Sequence, residues 1–213
     1  MIRLQNRRLK YFLLVSLLFV ILWSYIGAAD RFTWWMEAFP VLLGLPVLIV
    51  SREKFPLTIL IYCLIWAHMN ILLVGAHYTY AKVPLLDDLA RYFDLSRNHY
   101  DRLGHFMQGF APAMIARELL LRSAGIKPGK WLAAIIILSC LGISACYELL
   151  EWATAAMTGE AAEAFLGTQG DIWDTQKDML LALIGAVTGL VTLSRLHDHG
   201  LKALGWQPPA KSA

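Results

Sequence analysis

Residues 131–157 read WLAAIIILSCLGISACYELLEWATAAM. A helix of about 20 mostly apolar residues crosses the hydrocarbon core of a bilayer, and this run is long and greasy enough to do so. It also carries Glu148 and Glu151, one turn apart on neighbouring positions of one face. Ionised and unpaired, an acidic side chain at the centre of such a helix costs on the order of 2.5–3.5 kcal/mol. The stretch therefore implies a membrane helix whose two glutamates face protein, a polar cavity or a neutralising partner.

Five more stretches approach the spanning length: Tyr11 to Ala29, Thr33 to Val50, Leu57 to Gly75, Asp101 to Leu121 and Asp171 to Arg195. The expected fold is all-α, a polytopic bundle of about six transmembrane helices forming a single domain over residues 1–213. Composition agrees: 58% of residues are hydrophobic and 16% charged, with a mean hydropathy of +0.52, against roughly a quarter charged in soluble domains. Cys63, Cys140 and Cys146 all fall inside apolar runs and read as packing residues. A net charge of +3 without a basic, aromatic-interleaved run excludes nucleic acid as a partner. The lipid bilayer is the expected surrounding.

The first three spans read as cleanly apolar, whereas the last three carry ionisable residues that a bilayer tolerates only toward protein, cavity or interface. With the N-terminus inside, the inner loops and helix ends hold Arg3, Arg7, Arg8, Lys10, Arg52, Lys54, Arg117, Arg122, Lys127, Lys130, Arg195, Lys202 and Lys211. The outer side keeps Arg31, Lys82, Arg91, Arg97, Arg102 and Lys177. Thirteen bases against six favours cytoplasmic termini. A rival reading of the start is a cleaved leader, because Arg7, Arg8 and Lys10 precede an apolar run ending in Gly27-Ala28-Ala29, although that run exceeds the usual leader length. Residues 76–100 form the longest polar connection, expected outside as a partly helical lid or re-entrant piece.

The fourth span opens Asp101-Arg102-Leu103-Gly104-His105-Phe106-Met107-Gln108. At helical pitch, Asp101, His105 and Gln108 fall within roughly 60° of arc, a polar stripe whose histidine lies ~6 Å below the helix's outer end. In the fifth span, Glu148 and Glu151 lie about 9–14 Å below the outer end. The last span supplies Asp171, Asp174 and Asp178 at steps of three and four. Asp171 and Asp174 also suit a helix N-terminus; Asp178 lies too deep for that. Taken singly, each residue has a bland reading as an interface or packing group. Taken together, three successive spans direct acidic faces from one membrane side, which calls for a cation, shared protons or basic partners such as Arg102 and Lys177. Oxygen ligands with one histidine suit Mg²⁺, Mn²⁺ or Ca²⁺, and Zn²⁺ if His77 joins from the third span. His68 reads as a satisfied core residue. Gly185 and Gly189 mark close helix packing, His197 and His199 a solvated tail, and Glu160 and Glu163 an exposed outer loop.

The runs His99-Tyr100-Asp101-Arg102-Leu103-Gly104-His105-Phe106, Tyr147-Glu148-Leu149-Leu150-Glu151-Trp152 and Gly167-Thr168-Gln169-Gly170-Asp171-Ile172-Trp173-Asp174 resemble the YjdF family of bacterial inner-membrane proteins of unknown function, over nearly the whole chain. A looser likeness is to VanZ-like membrane proteins, in the order Asp101, Arg102, His105, Phe106, then Glu148 and Glu151, then Asp171, Asp174, Asp178 and Gly185. Glu151 stands where that group would have glutamine. The resemblance implies an inner-membrane location and an envelope role without naming a reaction.

The leading expectation is a metal-assisted membrane enzyme acting on a lipid-linked or phosphate-bearing envelope substrate. His105, Glu148, Glu151, Asp171, Asp174 and Asp178 are the candidate metal ligands; Asp101, Glu148 and Glu151 the candidate catalytic groups; Arg102, Gln108 and Lys177 the candidate substrate contacts. A proton- or cation-coupled transporter is the second reading, and a non-catalytic membrane partner protein the third.

Overall fold

The computed structural model describes residues 2–158 and 168–207, with side chains from Arg7 onward. Glu160, Glu163, Gly167, Lys211 and the side chain of Arg3 lie outside the described residues. All regular structure described is helical: α1 (Ile2–Tyr25), α2 (Arg31–Ser51), α3 (Ile59–Tyr78), α4 (Pro84–Tyr92), α5 (Tyr100–Arg122), α6 (Lys130–Thr158) and α7 (Asp174–Ala203). Five of them, α1, α2, α3, α6 and α7, are long and apolar enough to cross a membrane. At 23 residues α5 matches them in length, but Asp101, Arg102, His105, Arg117, Glu118 and Arg122 keep it out of that set.

Helix ends follow local chemistry. The first apolar run continues to Ala29, yet α1 stops at Tyr25 because Gly27 takes φ +77°, a left-handed conformation that costs glycine nothing. Asp30 then caps α2, its carboxylate accepting from Thr33 N–H at 2.6 Å. Between α3 and α5, Pro84 opens the short α4 as a first-turn proline. Asp171 falls in the turn before α7, which begins at Asp174.

Burial is arranged for a lipid solvent. Trp35, Phe39, Leu43, Val47 and Val50 line the exposed face of α2, while Trp34, Glu37, Ala38 and Val41 face inward. Phe12, Val15, Phe19 and Leu22 are likewise exposed on α1, and Trp131, Leu138, Leu149 and Trp152 on α6. Apolar exposure of this extent on a water-soluble surface would be an aggregation hazard. Cys146 is exposed here too, while Cys140 packs in the core.

Two helix triplets build the bundle. Leu17, Trp34, Val41, Met69 and Leu73 join α1, α2 and α3; Ala113, Leu121, Ile136, Cys140, Ala186 and Leu201 join α5, α6 and α7. Ile61 and Tyr62 of α3 meet Met114 of α5 and tie the triplets together. The tightest seam runs between α5 and α7. A methyl group on Gly109 would overlap the Ala182 carbonyl, one on Gly185 the Phe106 carbonyl, and one on Gly189 would stand 2.9 Å from the Phe110 carbonyl oxygen. Gly185 and Gly189 thus serve the packing expected of them, with Gly109 as their counterpart. The two helices run parallel at backbone contact, so the turn before Gly109 and Ala182 sets His105 beside Asp178.

Three sequence expectations are corrected by this packing. The second span is not cleanly apolar, because Glu37 lies buried on the inward stripe of α2. His197 is no solvated tail residue: it is fully buried, accepting at Nδ1 from Arg117 at 2.7 Å and meeting Glu118 through Nε2 at 2.9 Å. His199 is exposed, as expected. His68 is not fully satisfied, since its Nδ1 has no hydrogen-bond partner among the described residues.

Candidate functional site

The stripe on α5 meets the first turns of α7 at one end of the bundle. One ligand atom each from Asp101, His105 and Asp178 lies within 4.8 Å of the other two. His105 Nε2 stands 3.4 Å from Asp101 Oδ1 and 3.7 Å from Glu148 Oε1, and its Nδ1 faces Gln108 Oε1 at 3.2 Å. Each of these three partners presents an oxygen to the imidazole. Asp174, one turn before Asp178, is bonded to the guanidinium of Arg97, which also reaches Asp101 Oδ2 at 3.1 Å. Glu148 and Glu151 of α6 are both buried, as their common face requires.

Glu37 completes the acidic wall. Its Oε2 accepts from the Tyr147 hydroxyl at 3.1 Å. A cavity of about 250 Å³ is lined by Glu37, His68, Tyr80, Asp101, His105, Gln108, Tyr147 and Glu151. Six carboxylates (Glu37, Asp101, Glu148, Glu151, Asp174, Asp178) thus gather around Arg97 and His105. Two of their buried oxygens, Asp178 Oδ1 and Glu148 Oε1, have no hydrogen-bond partner among the described residues. Orphaned buried acceptors are rare in native structures and carry a desolvation cost.

Asp171 stands apart from the His105 group. Its Oδ2 accepts from Arg102 at 2.7 Å and Lys177 at 2.6 Å, and lies 3.8 Å from Arg97. The Lys177 bond and then the Trp173 N–H hold its carboxyl below the usual carboxylate range. Burial works to lower the basicity of Arg97, but its bond to Asp174 and the surrounding carboxylates prevail and raise it. His99, at the start of α5, is lowered by burial and by the neighbouring Arg102 and Arg97. His77 takes no part in the cluster: it stacks on Trp23 at 4.4 Å and donates through Nδ1 to the Ser24 carbonyl at 3.0 Å.

The segments 97–100 and 168–171, leading into α5 and α7, are laced by a reciprocal bridge. Gln169 Oε1 accepts from Asn98 N–H at 2.9 Å, and Gln169 Nε2 donates to the Asn98 carbonyl at 3.0 Å. The Asn98 side chain also donates to the Val83 carbonyl and accepts from Tyr100 N–H, both at 3.0 Å. This lacing holds Arg97 between α5 and α7.

Of the residues that the sequence assigns to one site, Asp101, His105, Gln108, Glu148, Glu151, Asp174 and Asp178 lie together, whereas Asp171 pairs with Arg102 and Lys177 in a separate group; Arg97, Glu37 and Tyr147 carry no such expectation. Glu37 was legible in principle, being the lone carboxylate on the inward stripe Trp34, Ala38 and Val41. Arg97 carried no such signal, since it sits in a polar connection among other charges.

The chain matches the family model described as "Predicted membrane protein (DUF2238)" over residues 9–199, a range that includes every residue of the cluster. It is 45% identical over 191 residues to the protein named "Inner membrane protein YjdF" of Escherichia coli (strain K12), covering 90% of this chain and 91% of that protein. No solved structure matches. Given a match that spans nearly the whole chain, and helices whose apolar faces point outward, the chain is an inner-membrane protein and belongs to this DUF2238 family of predicted membrane proteins.

Proposed function

We propose that the Asp101–His105–Asp178 group, with Glu148 beside it, binds a divalent cation and serves a membrane enzyme acting on a lipid-linked or phosphate-bearing substrate. The observation that carries this reading is the convergence of three ligand atoms, from Asp101, His105 and Asp178, within 4.8 Å, where one oxygen of Asp178 and one of the neighbouring Glu148 have no hydrogen-bond partner among the described residues. Ligands that approach an ion at about 2.0–2.6 Å stand roughly 3–5 Å from one another, so an ion fits among these atoms. Two or three oxygens and one imidazole nitrogen suit Mg²⁺, Mn²⁺, Ca²⁺ or Zn²⁺. Such an ion would polarise a phosphoryl oxygen or lower the pKa of a water. Glu37 and Glu151 line the adjoining cavity and, with Glu148 beside His105, are the candidates to take or give a proton. Arg102 and Lys177 each keep donors beyond the one given to Asp171. Both are placed to draw an anionic head group.

The same reading takes α5 as a sixth span, both termini as cytoplasmic, and the chain as one membrane domain. Support comes from the parallel seam of α5 with α7 and the distribution of lysine and arginine; reporter fusions at each loop test it. For the site, Mn²⁺ titrated into the purified, metal-stripped protein is expected to bind at one position per chain and to be lost in Asp101→Asn, Asp178→Asn and Glu148→Gln. Equal Mn²⁺ retention in all three variants would overturn the reading.

One observation favours a second reading, a proton- or cation-coupled transporter. His68 lines the same cavity from the middle of α3 with Nδ1 unpartnered, between the acidic cluster and the buried Glu118–His197 pair at the far end. Uptake into proteoliposomes driven by a pH gradient, abolished in His68→Phe, would favour it over the enzyme.

A further inference from the structure

A second cavity, of about 670 Å³, lies far from the carboxylates, between α1, α2 and α3 at the end where α2 stops and α3 begins. Its size falls within the roughly 300–1,000 Å³ of small-molecule sites. The walls are Leu13, Leu17, Leu45, Leu48, Ile65 and Met69, with Trp66 among them; the rim is Arg7, Lys10, Arg52 and Glu53. Three cations against one carboxylate leave the rim a surplus of two positive charges. The cations are steered but not consumed. Lys10 Nζ sits 4.2 Å from the centre of the Tyr62 ring, and Arg7 lies 5.6 Å from that of Tyr11. Arg52 gives one donor to the Ile49 carbonyl at 2.9 Å and stands 3.6 Å from Glu53.

Apolar walls below a cationic rim specify an amphiphile. A free phosphate would satisfy the rim and leave the walls without a match, whereas a zwitterionic lipid would fill the walls and bring no net charge to the rim. We propose that this groove is a binding site for an anionic phospholipid, with its phosphate held by Arg7, Lys10 and Arg52 and an acyl chain laid along Leu13, Leu17, Leu45 and Met69. Basic pockets between membrane helices take anionic head groups by this same chemistry. The proposal stands independently of the metal reading, since it shares no residue with that cluster.

Trp66, whose indole donates to Ser16 Oγ at 3.0 Å, is a built-in reporter. The test uses the full-length protein in neutral detergent, titrated with phosphatidylglycerol or phosphatidylcholine carrying brominated acyl chains. Trp66 emission is taken as the difference between the protein and its Trp66→Phe variant. Brominated phosphatidylglycerol is expected to quench that emission at a concentration at least about tenfold lower than phosphatidylcholine. At roughly a factor of five per basic side chain near an anionic head group, Lys10→Gln weakens the quench about fivefold and Arg7→Gln with Arg52→Gln weakens it further. Lys10→Arg retains it. Equal quenching by the two lipids, or no change in the glutamine variants, overturns the proposal by reducing the groove to ordinary lipid contact. Displacement of the phosphatidylglycerol by millimolar inorganic phosphate also overturns it, because the occupant would then be the free anion.

Discussion

The two ends of α5 each bury a set of charged and polar groups, and the two sets are built on different terms. Around Glu118, accounts close. Its carboxylate accepts from Thr58 N–H at 3.1 Å, Thr58 Oγ1 at 2.8 Å, Arg122 at 2.5 Å and His197 Nε2 at 2.9 Å. Arg117, which can only donate, faces His197 Nδ1, so the ring proton sits on Nε2 and points at Glu118. Arg117 also reaches Asp198 at 2.7 Å, and Arg122 the Pro56 carbonyl at 2.8 Å. None of these buried atoms lacks a partner among the described residues. Around Asp101, carboxylates outnumber their bases and two oxygens are orphaned. A satisfied buried network reads as a fastener for the helices it joins. One left short of positive charge is held in place by the rest of the fold, and reads as a site.

Substitutions at the two ends should therefore behave oppositely. The largest expected effect is at Glu118: its alanine variant leaves the Arg122 guanidinium without its carboxylate, and His197 Nε2 and the Thr58 N–H without an acceptor, and should cost about 3–5 kcal/mol, the usual loss when one partner of a buried ion pair is removed. Thermal unfolding in detergent checks this, and a loss below 1 kcal/mol would erase the contrast between the ends. Next comes the seam that aligns His105 with Asp178. Gly109→Val forces α5 away from the Ala182 carbonyl and is expected to lower stability by about 1–3 kcal/mol while also reducing Mn²⁺ retention. Gly142→Val, at a position where an added Cβ meets nothing within 4 Å, should do neither.

A smaller effect of opposite sign is expected at Asp178. Asp178→Asn removes a buried negative charge from a set with too many, and should leave the melting temperature unchanged or raise it by the equivalent of about 1 kcal/mol, while abolishing cation retention. Clear destabilisation there would mean that the acidic cluster, too, is a fastener. The smallest effect is at Asp171, whose carboxyl is held low by Lys177, the Trp173 N–H and Arg102. A depressed carboxylate contributes stability that is fully present above its unfolded pKa and is lost as pH falls through the folded value. The wild-type melting temperature should thus decline more steeply than that of Asp171→Asn as pH drops below the usual carboxylate range, with the two curves parallel near neutrality.

Much of the candidate site could be read along single helices. Asp101, His105 and Gln108, then Glu148 and Glu151, then Asp174 and Asp178 each declare a face by their spacing, because 3.6 residues per turn is a property of the backbone alone. Glu118 drew no such reading and His197 read as a solvated tail, so neither the burial of this pair nor its partnership was legible. Asp178 and Glu118 look alike on paper, each a carboxylate on a helix that also carries bases.

By itself, then, the sequence determined that this is a helical membrane protein, where most helices run, and which side chains share a stripe. Tertiary structure alone decided which stripes meet: that Arg97 is drawn from a loop to bond Asp174, that Glu37 joins from a helix that reads as apolar, that Asp171 pairs with Arg102 and Lys177 instead of entering the His105 group, and that His197 is sealed inside. The reason is that helical periodicity fixes direction about one axis, whereas the rotation and register between axes depend on contacts such as the Gly109–Ala182 approach. Those contacts exist only once the helices have packed.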